Sequence, residues 1–193
     1  MKPQVVAEHL KAAEKAPHSQ AKGRAYEDLV CYLFGQVPGC LVERDLTSVF
    51  DTEQIDIAVG NLRVPEGLGL LPPIFLVECK NWDQPADSQT VGYFFNILAS
   101  RSVELGILVA ANGVTGDLIN GRHSQALGIG AAPRGIKMIV VTSDDLRRLE
   151  GIADFVQLLH RRYLRAYATG QLGAPTRGDW PADAGSSTID ELA

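Results

Sequence analysis

At 193 residues, 46% hydrophobic and 21% charged, the chain is long enough to bury one good core, and one principal domain is expected. A formal charge of −5 excludes a broadly basic surface of the kind that neutralises phosphates, so any nucleic-acid-binding face must be local. No apolar run reaches membrane-span length, Met1-Lys2-Pro3-Gln4 lacks the plan of a signal peptide, and Cys31, Cys40 and Cys79 lack CxxC spacing, which argues for a reduced, cytoplasmic protein without membrane partner, disulfide framework or zinc site.

Residues 1–18 read as a helical extension, since Val5 to Ala16 is rich in Ala, Glu and Lys and is closed by Pro17. Residues 19–168 read as the main domain. Ser19 is a candidate N-cap for a helix in which Tyr26, Leu29, Val30, Leu33 and Phe34 recur at i, i+3, i+4, i+7 and i+8, a stripe that faces the core. At roughly 100° per residue, Glu27 lies about a right angle from the centre of that stripe, with Gly23 one turn before it. Gly35 to Gly39 ends the helix, and Cys40 to Asp45 reads as a first strand. Gln54 to Val59 then alternates, with Ile55, Ile57 and Val59 on one face and Asp56 and Ala58 on the other. The loop from Asn61 to Pro73 is too long for a tight hairpin, and its Leu68, Leu70 and Leu71 cover either the core or a partner.

Ile74-Phe75-Leu76-Val77 reads as a central strand buried on both faces, yet it continues into Glu78-Cys79-Lys80. Alternation turns Glu78 and Lys80 to one face and Cys79 to the other, so a carboxylate and an ammonium group share a strand end. If this strand pairs with the preceding one, Asp56 and Glu78 can converge on one metal ion. Trp82 either stacks on a base or packs beneath the polar loop from Asp83 to Ser88. Gln89 to Arg101 is a helix that is apolar around most of its circumference, placed across the sheet or in a dimer interface, with Gln89 capping it.

Leu105 to Ala110 is a fourth strand, and Asn112-Gly113 with Thr115-Gly116-Asp117 leads into a helix ending before Gly128. On it, Arg122 and His123 are either phosphate contacts or solvated surface, and a lone His lacks the partners of a hydrolase triad. Ile136 to Thr142 is a fifth strand, after which Ser143 caps a turn with Asp144 and Asp145 at its positive end. Ile152 to Ala168 is a final amphipathic helix whose Arg161, Arg162 and Arg165 complement its dipole. Residues 169–193, punctuated by Gly, Pro and Ser, read as a flexible tail. From Gln171 onward the tail carries −3, leaving 17 basic and 19 acidic residues in a body of only −2.

The order of Asp56 followed by an apolar strand ending Glu78-x-Lys80 resembles the PD-(D/E)xK nuclease superfamily, and its surroundings are similar to the Mrr-like type IV restriction endonuclease domain. Gly23-Arg24-Ala25-Tyr26-Glu27 is similar to the first family helix with its acidic residue, and Gly106-Ile107-Leu108-Val109-Ala110 to the strand after the second helix. The likeness spans residues 20 to 165. It departs at Gln54, where relatives often have Gly, and at Ile55, where a proline usually precedes the aspartate; neither change removes a catalytic group.

The resemblance implies an α/β fold: a three-layer restriction-endonuclease-like core whose central mixed five-stranded sheet is flanked by helices. It further implies a metal-dependent endonuclease that hydrolyses DNA phosphodiester bonds in restriction, defence or repair, with RNA left open as a substrate. Asp56, Glu78 and the Cys79 backbone carbonyl would hold Mg²⁺, for which Mn²⁺ can substitute. Lys80 would position or deprotonate the attacking water, and Glu27 would complete a second metal site or orient water. A homodimer or a separate recognition subunit is expected, because only about twenty residues precede the catalytic domain. The alternative is a noncatalytic or partner-dependent nuclease-fold subunit of a larger nucleic-acid-processing or defence complex. A scaffold, however, has no need for buried charges that cost free energy.

Overall fold

Strands that are apolar throughout belong in the middle of a sheet, and polar ones at its edge. The computed structural model describes residues 1–47, 54–115, 135–176 and 179–180, and in these five strands form one sheet of order β1-β2-β3-β4-β5, which follows that rule except at its last strand, an apolar edge. The largely exposed β1 (Cys40–Thr47) is an edge. It runs antiparallel to β2 (Gln54–Asn61), which alternates as expected and is antiparallel to β3 (Ile74–Lys80). β4 (Leu105–Ala110) and β5 (Lys137–Val141) continue parallel to β3. The sheet therefore changes from antiparallel to parallel at β3, which is buried without a break from Phe75 to Cys79.

Five helices are found among the described residues. On one face of the sheet, α1 (Pro3–Lys15), α2 (Ser19–Gln36), α4 (Ser143–Arg147) and α5 (Ile152–Thr169) close a core in which Leu29, Leu33 and Phe34 meet Val59, Phe75 and Phe155. On the other face, α3 (Ser88–Ser100) sets Val91, Phe94 and Leu98 against Leu76, Leu108 and Val140. Gly106 permits this close approach: a Cβ there would lie 2.5 Å from Leu98 Cδ1 and 2.8 Å from Phe94 Cε1. The fold is thus α/β with a mixed sheet, compatible with the expected three layers.

Several local expectations are corrected. α2 is capped by His18, whose Nδ1 accepts from the Ala21 N–H at 3.2 Å, and Ser19 is its first residue. Asp87, not Gln89, caps α3, accepting from the Thr90 N–H. Thr142, not Ser143, caps α4, in a reciprocal box with Asp145. In the loop after β2, Leu68 and Leu71 are fully buried while Leu70 is exposed. That loop is stapled by the buried Asn61 amide, which donates to the carbonyls of Leu68, Leu71 and Pro72.

Part of the stretch expected to be a flexible tail packs against the fold. Gly173 bridges Ile139 of β5, Ala174 is buried, and Asp179 is 4% exposed. Nor do the arginines of α5 merely answer its dipole. Arg162 is fully buried and donates to both Asp145 oxygens, at 2.6 and 2.7 Å, to Asp179 Oδ2 at 2.9 Å, and to the Val140 carbonyl. The expected helix bearing Arg122 and His123, and residues 181–193, lie outside the described residues.

Candidate active site

In an antiparallel pair, residues directly opposite each other lie on the same face of the sheet. One step beyond the pair Ile57 and Val77, the register sets Asp56 opposite Glu78. Asp56 Oδ2 accepts from the Cys79 N–H at 2.8 Å, which ties the aspartate directly to the end of β3. Glu78 is only 5% exposed, and its Oε1 lies 2.5 Å from Lys80 Nζ. The expected alternation of Glu78 and Lys80 on one face, with Cys79 turned away, accounts for this pair. Cys79 points into the core beneath α2, where burial pushes its thiol well above the ordinary value and keeps it neutral.

The electrostatics of the strand end are unbalanced. Burial raises the Glu78 carboxyl, the Asp56 charge raises it further, and Lys80 offsets only part of this. Asp56 is also raised, chiefly by burial, against the Cys79 N–H and Lys80. Burial pulls the Lys80 ammonium down, but Glu78 and Asp56 outweigh it, so its proton is held more tightly than usual. Lys80 thereby enters as a fixed positive charge rather than as a ready base. Its Nζ stands 5.6 Å from the centre of the Trp82 ring, and Trp82 is 45% exposed rather than packed beneath the following loop.

Glu27 arrives from α2. Its carboxyl is raised by burial and then by Asp56 and Asp45, with Arg44 acting the other way. Arg44 was not singled out from the sequence. From β1 it reaches Asp28 at 2.5 Å, its neighbour Asp45 at 3.1 Å and Glu27 at 3.5 Å. The signal for it lay in pairing: only when β1 joins β2, with Arg44 opposite Ile57, does this cation come to the carboxylates. Glu27, Arg44, Asp45 and Asp56 line a cleft of about 370 Å³.

All donors here are oxygens, which suits a hard cation. Among the described residues no three His, Cys, Asp or Glu side chains are grouped to hold a metal, which leaves Asp56 and Glu78 as the carboxylates to be weighed. Mg²⁺ is commonly held by one or two carboxylates with the rest of its shell water and phosphate. Among the described residues no helix is long and apolar enough to cross a membrane. No protein-family model matches the chain, and a comparison with curated proteins found no match.

Proposed function

We propose that the chain is a metal-dependent, restriction-endonuclease-like nuclease that hydrolyses phosphodiester bonds in DNA, acting in the cytoplasm in defence or repair. One observation carries this reading: the half-buried Asp56 and the buried Glu78 both have raised carboxyls, Glu78 partly through the Asp56 charge, beside a lysine at the end of β3. Such an arrangement is costly unless a cation or proton relieves it. Asp56 and Glu78, with the Cys79 carbonyl, would hold Mg²⁺ or Mn²⁺. The bound ion supplies a Lewis acid for the phosphoryl oxygens and lowers the pKa of its water.

The chain's own groups do the rest. Lys80, held protonated, orients the water lone pair and stabilises charge developing on the phosphoryl oxygens. Asp56 is fixed by the Cys79 N–H, so one oxygen stays committed and the other is free to turn to the cleft. Glu27 sits within the electrostatic reach of Asp56 and accepts or orients a second water. Two copies, or a recognition subunit, would bring a second site to the other strand of a duplex.

A specific observation favours a second reading, a noncatalytic or partner-dependent subunit. Glu78 is already bonded to Lys80 and Asp56 to the backbone, so the strand end can persist as an ion pair. Incubation of the purified chain with linear duplex, single-stranded and branched DNA, and with RNA, under Mg²⁺ or Mn²⁺ decides between them. The nuclease reading requires cleavage that disappears in Glu78→Gln. An inert wild-type chain with every substrate and both metals would favour the subunit.

A further inference from the structure

In an open α/β sheet the carboxyl ends of parallel strands form a natural crevice, because the loops leaving them diverge to helices on different sides. β3, β4 and β5 are the parallel strands here, and a cleft of about 550 Å³ opens where they end. Asn81 and Trp82 follow β3, Asn112 follows β4, and Thr142 and Ser143 follow β5, all lining it. Trp180 also lines it, next to Asp179, which is bonded to Arg162 and Arg165. This cleft is separate from the acidic one, whose lining shares none of these residues.

We propose that the cleft binds a nucleobase, a flat heterocycle with hydrogen-bonding edges. Two tryptophans, the half-exposed Trp82 and the partly buried Trp180, are among its lining residues, and base–aromatic stacking is sequence-tolerant and worth ~1–3 kcal/mol per base. Two amides offer edge contacts: the Asn112 amide donates to the Trp82 carbonyl at 2.6 Å and the Asn81 amide to the Lys22 carbonyl at 3.3 Å. Each bond fixes the side chain with one hydrogen, and an amide still has its oxygen and second hydrogen to offer.

Charge favours a base over a bare phosphate. The lining carries Lys22, Arg147 and Arg148 against Glu14, Asp83, Asp144 and Asp145, with Lys22 paired to Asp83 and Arg147 to Glu14 and Asp144, so it has no excess of positive charge to hold an anion. The volume lies within the range of small-molecule sites. Trp82 joins this cleft to the ring contact of Lys80, so the base would belong to a nucleotide beside the one cut, a statement that rests on the nuclease reading.

The two tryptophans of the chain are Trp82 and Trp180, and both line the cleft, so intrinsic fluorescence reads it directly. Titrations without added metal use deoxyadenosine monophosphate, deoxyadenosine, inorganic phosphate and a short single-stranded oligonucleotide. Saturable quenching by nucleoside and nucleotide, none by phosphate, and an affinity about fivefold to tenfold weaker in Asn112→Ala are expected, as for one lost hydrogen bond. Saturation by the oligonucleotide alone would assign the base to a polymer strand, still in support. Trp82→Phe and Trp180→Phe, each leaving one reporter, show that both tryptophans are involved. Absence of saturation by every base-containing probe, or an equal response to phosphate, overturns the proposal. Quenching in a chain that cuts nothing would sink the nuclease reading and leave the base site standing; cleavage without quenching would do the reverse.

Discussion

Two clusters of opposite charges, a buried one around Arg162 and a partly buried one at the end of β3, are built to different rules. Around Arg162, every charge is answered: burial would raise the Asp179 carboxyl, but the Thr176 N–H and the Arg162 and Arg165 guanidinium groups outweigh it and hold it below the ordinary value. At the end of β3, burial and like charge win, and Glu27, Asp56 and Glu78 are all raised. The first cluster has finished its electrostatics within the fold. The second keeps an unmet demand for positive charge, which is what a site awaiting a ligand looks like.

Removing the cation of the finished cluster should cost most. Arg162→Met leaves Asp145 and Asp179 buried with part of their bonding gone, and a loss of about 3–5 kcal/mol is expected in chemical denaturation. A loss below about 1 kcal/mol would mean that water or Arg165 substitutes, and the distinction between the clusters would fall. Asp56→Asn and Glu78→Gln should behave in the opposite way. Under the nuclease reading cleavage should vanish in both and in Lys80→Ala, while the melting temperature of Asp56→Asn holds or rises, because a partly buried charge that raises Glu78 and Glu27 has been removed. Lys80→Ala should melt lower than Asp56→Asn, since Glu78 loses its bonded cation. Cleavage surviving in all three variants would move the chemistry elsewhere.

The two clusters should also answer pH with opposite sign. Groups raised in the folded state hold protons more tightly there than in the unfolded chain. The contribution of Glu27, Asp56 and Glu78 is therefore complete below their ordinary values of 3.8 to 4.5 and is lost as pH rises through the folded values. Asp179 is lowered, so its contribution is present above 3.8 and is lost as pH falls through the folded value. Melting curves between about pH 4 and 7 should show a downward component in the wild type that shrinks in Asp56→Asn. Under the nuclease reading, Mn²⁺ should remove the same component, because the metal replaces the proton. A wild-type profile parallel to that of Asp56→Asn would contradict the raised values.

The end of β3 was legible because its signals are local. Alternation along Gln54 to Val59 and the charged end of an apolar strand oriented Asp56, Glu78 and Lys80, and antiparallel pairing needed only the connecting loop to bring them together. Arg44 escaped because β1 meets the site through pairing rather than through a motif. Arg162 escaped although a sign was present: Phe155, Leu158, Leu159 and Ala166 form the buried stripe of α5, and Arg162 falls on it. A fully buried arginine demands a carboxylate, yet the partner lay in a Gly- and Pro-rich stretch whose composition argued for disorder. Gly173 there serves close packing instead, with a built Cβ only 2.6 Å from the Arg162 carbonyl.

The smallest expected effect tests how far the finished cluster extends. Thr142 Oγ1 and the Thr142 N–H both donate to Asp145 Oδ2 at 2.7 Å, and Arg162 Nη1 donates to the same oxygen at 2.7 Å. Thr142→Ala removes the hydroxyl, including its role as acceptor for the Asp145 N–H, but keeps the backbone donor. The loss should lie near the low end of the range for helix caps, about 1 kcal/mol by chemical denaturation. Because one oxygen serves both partners, the cap and the ion pair should not be independent. In a double-mutant cycle with Arg162→Met, a coupling above about 0.5 kcal/mol is expected. Additivity would detach the cap from the cluster and leave Arg162 to hold α4 through its own bonds to Asp145 alone.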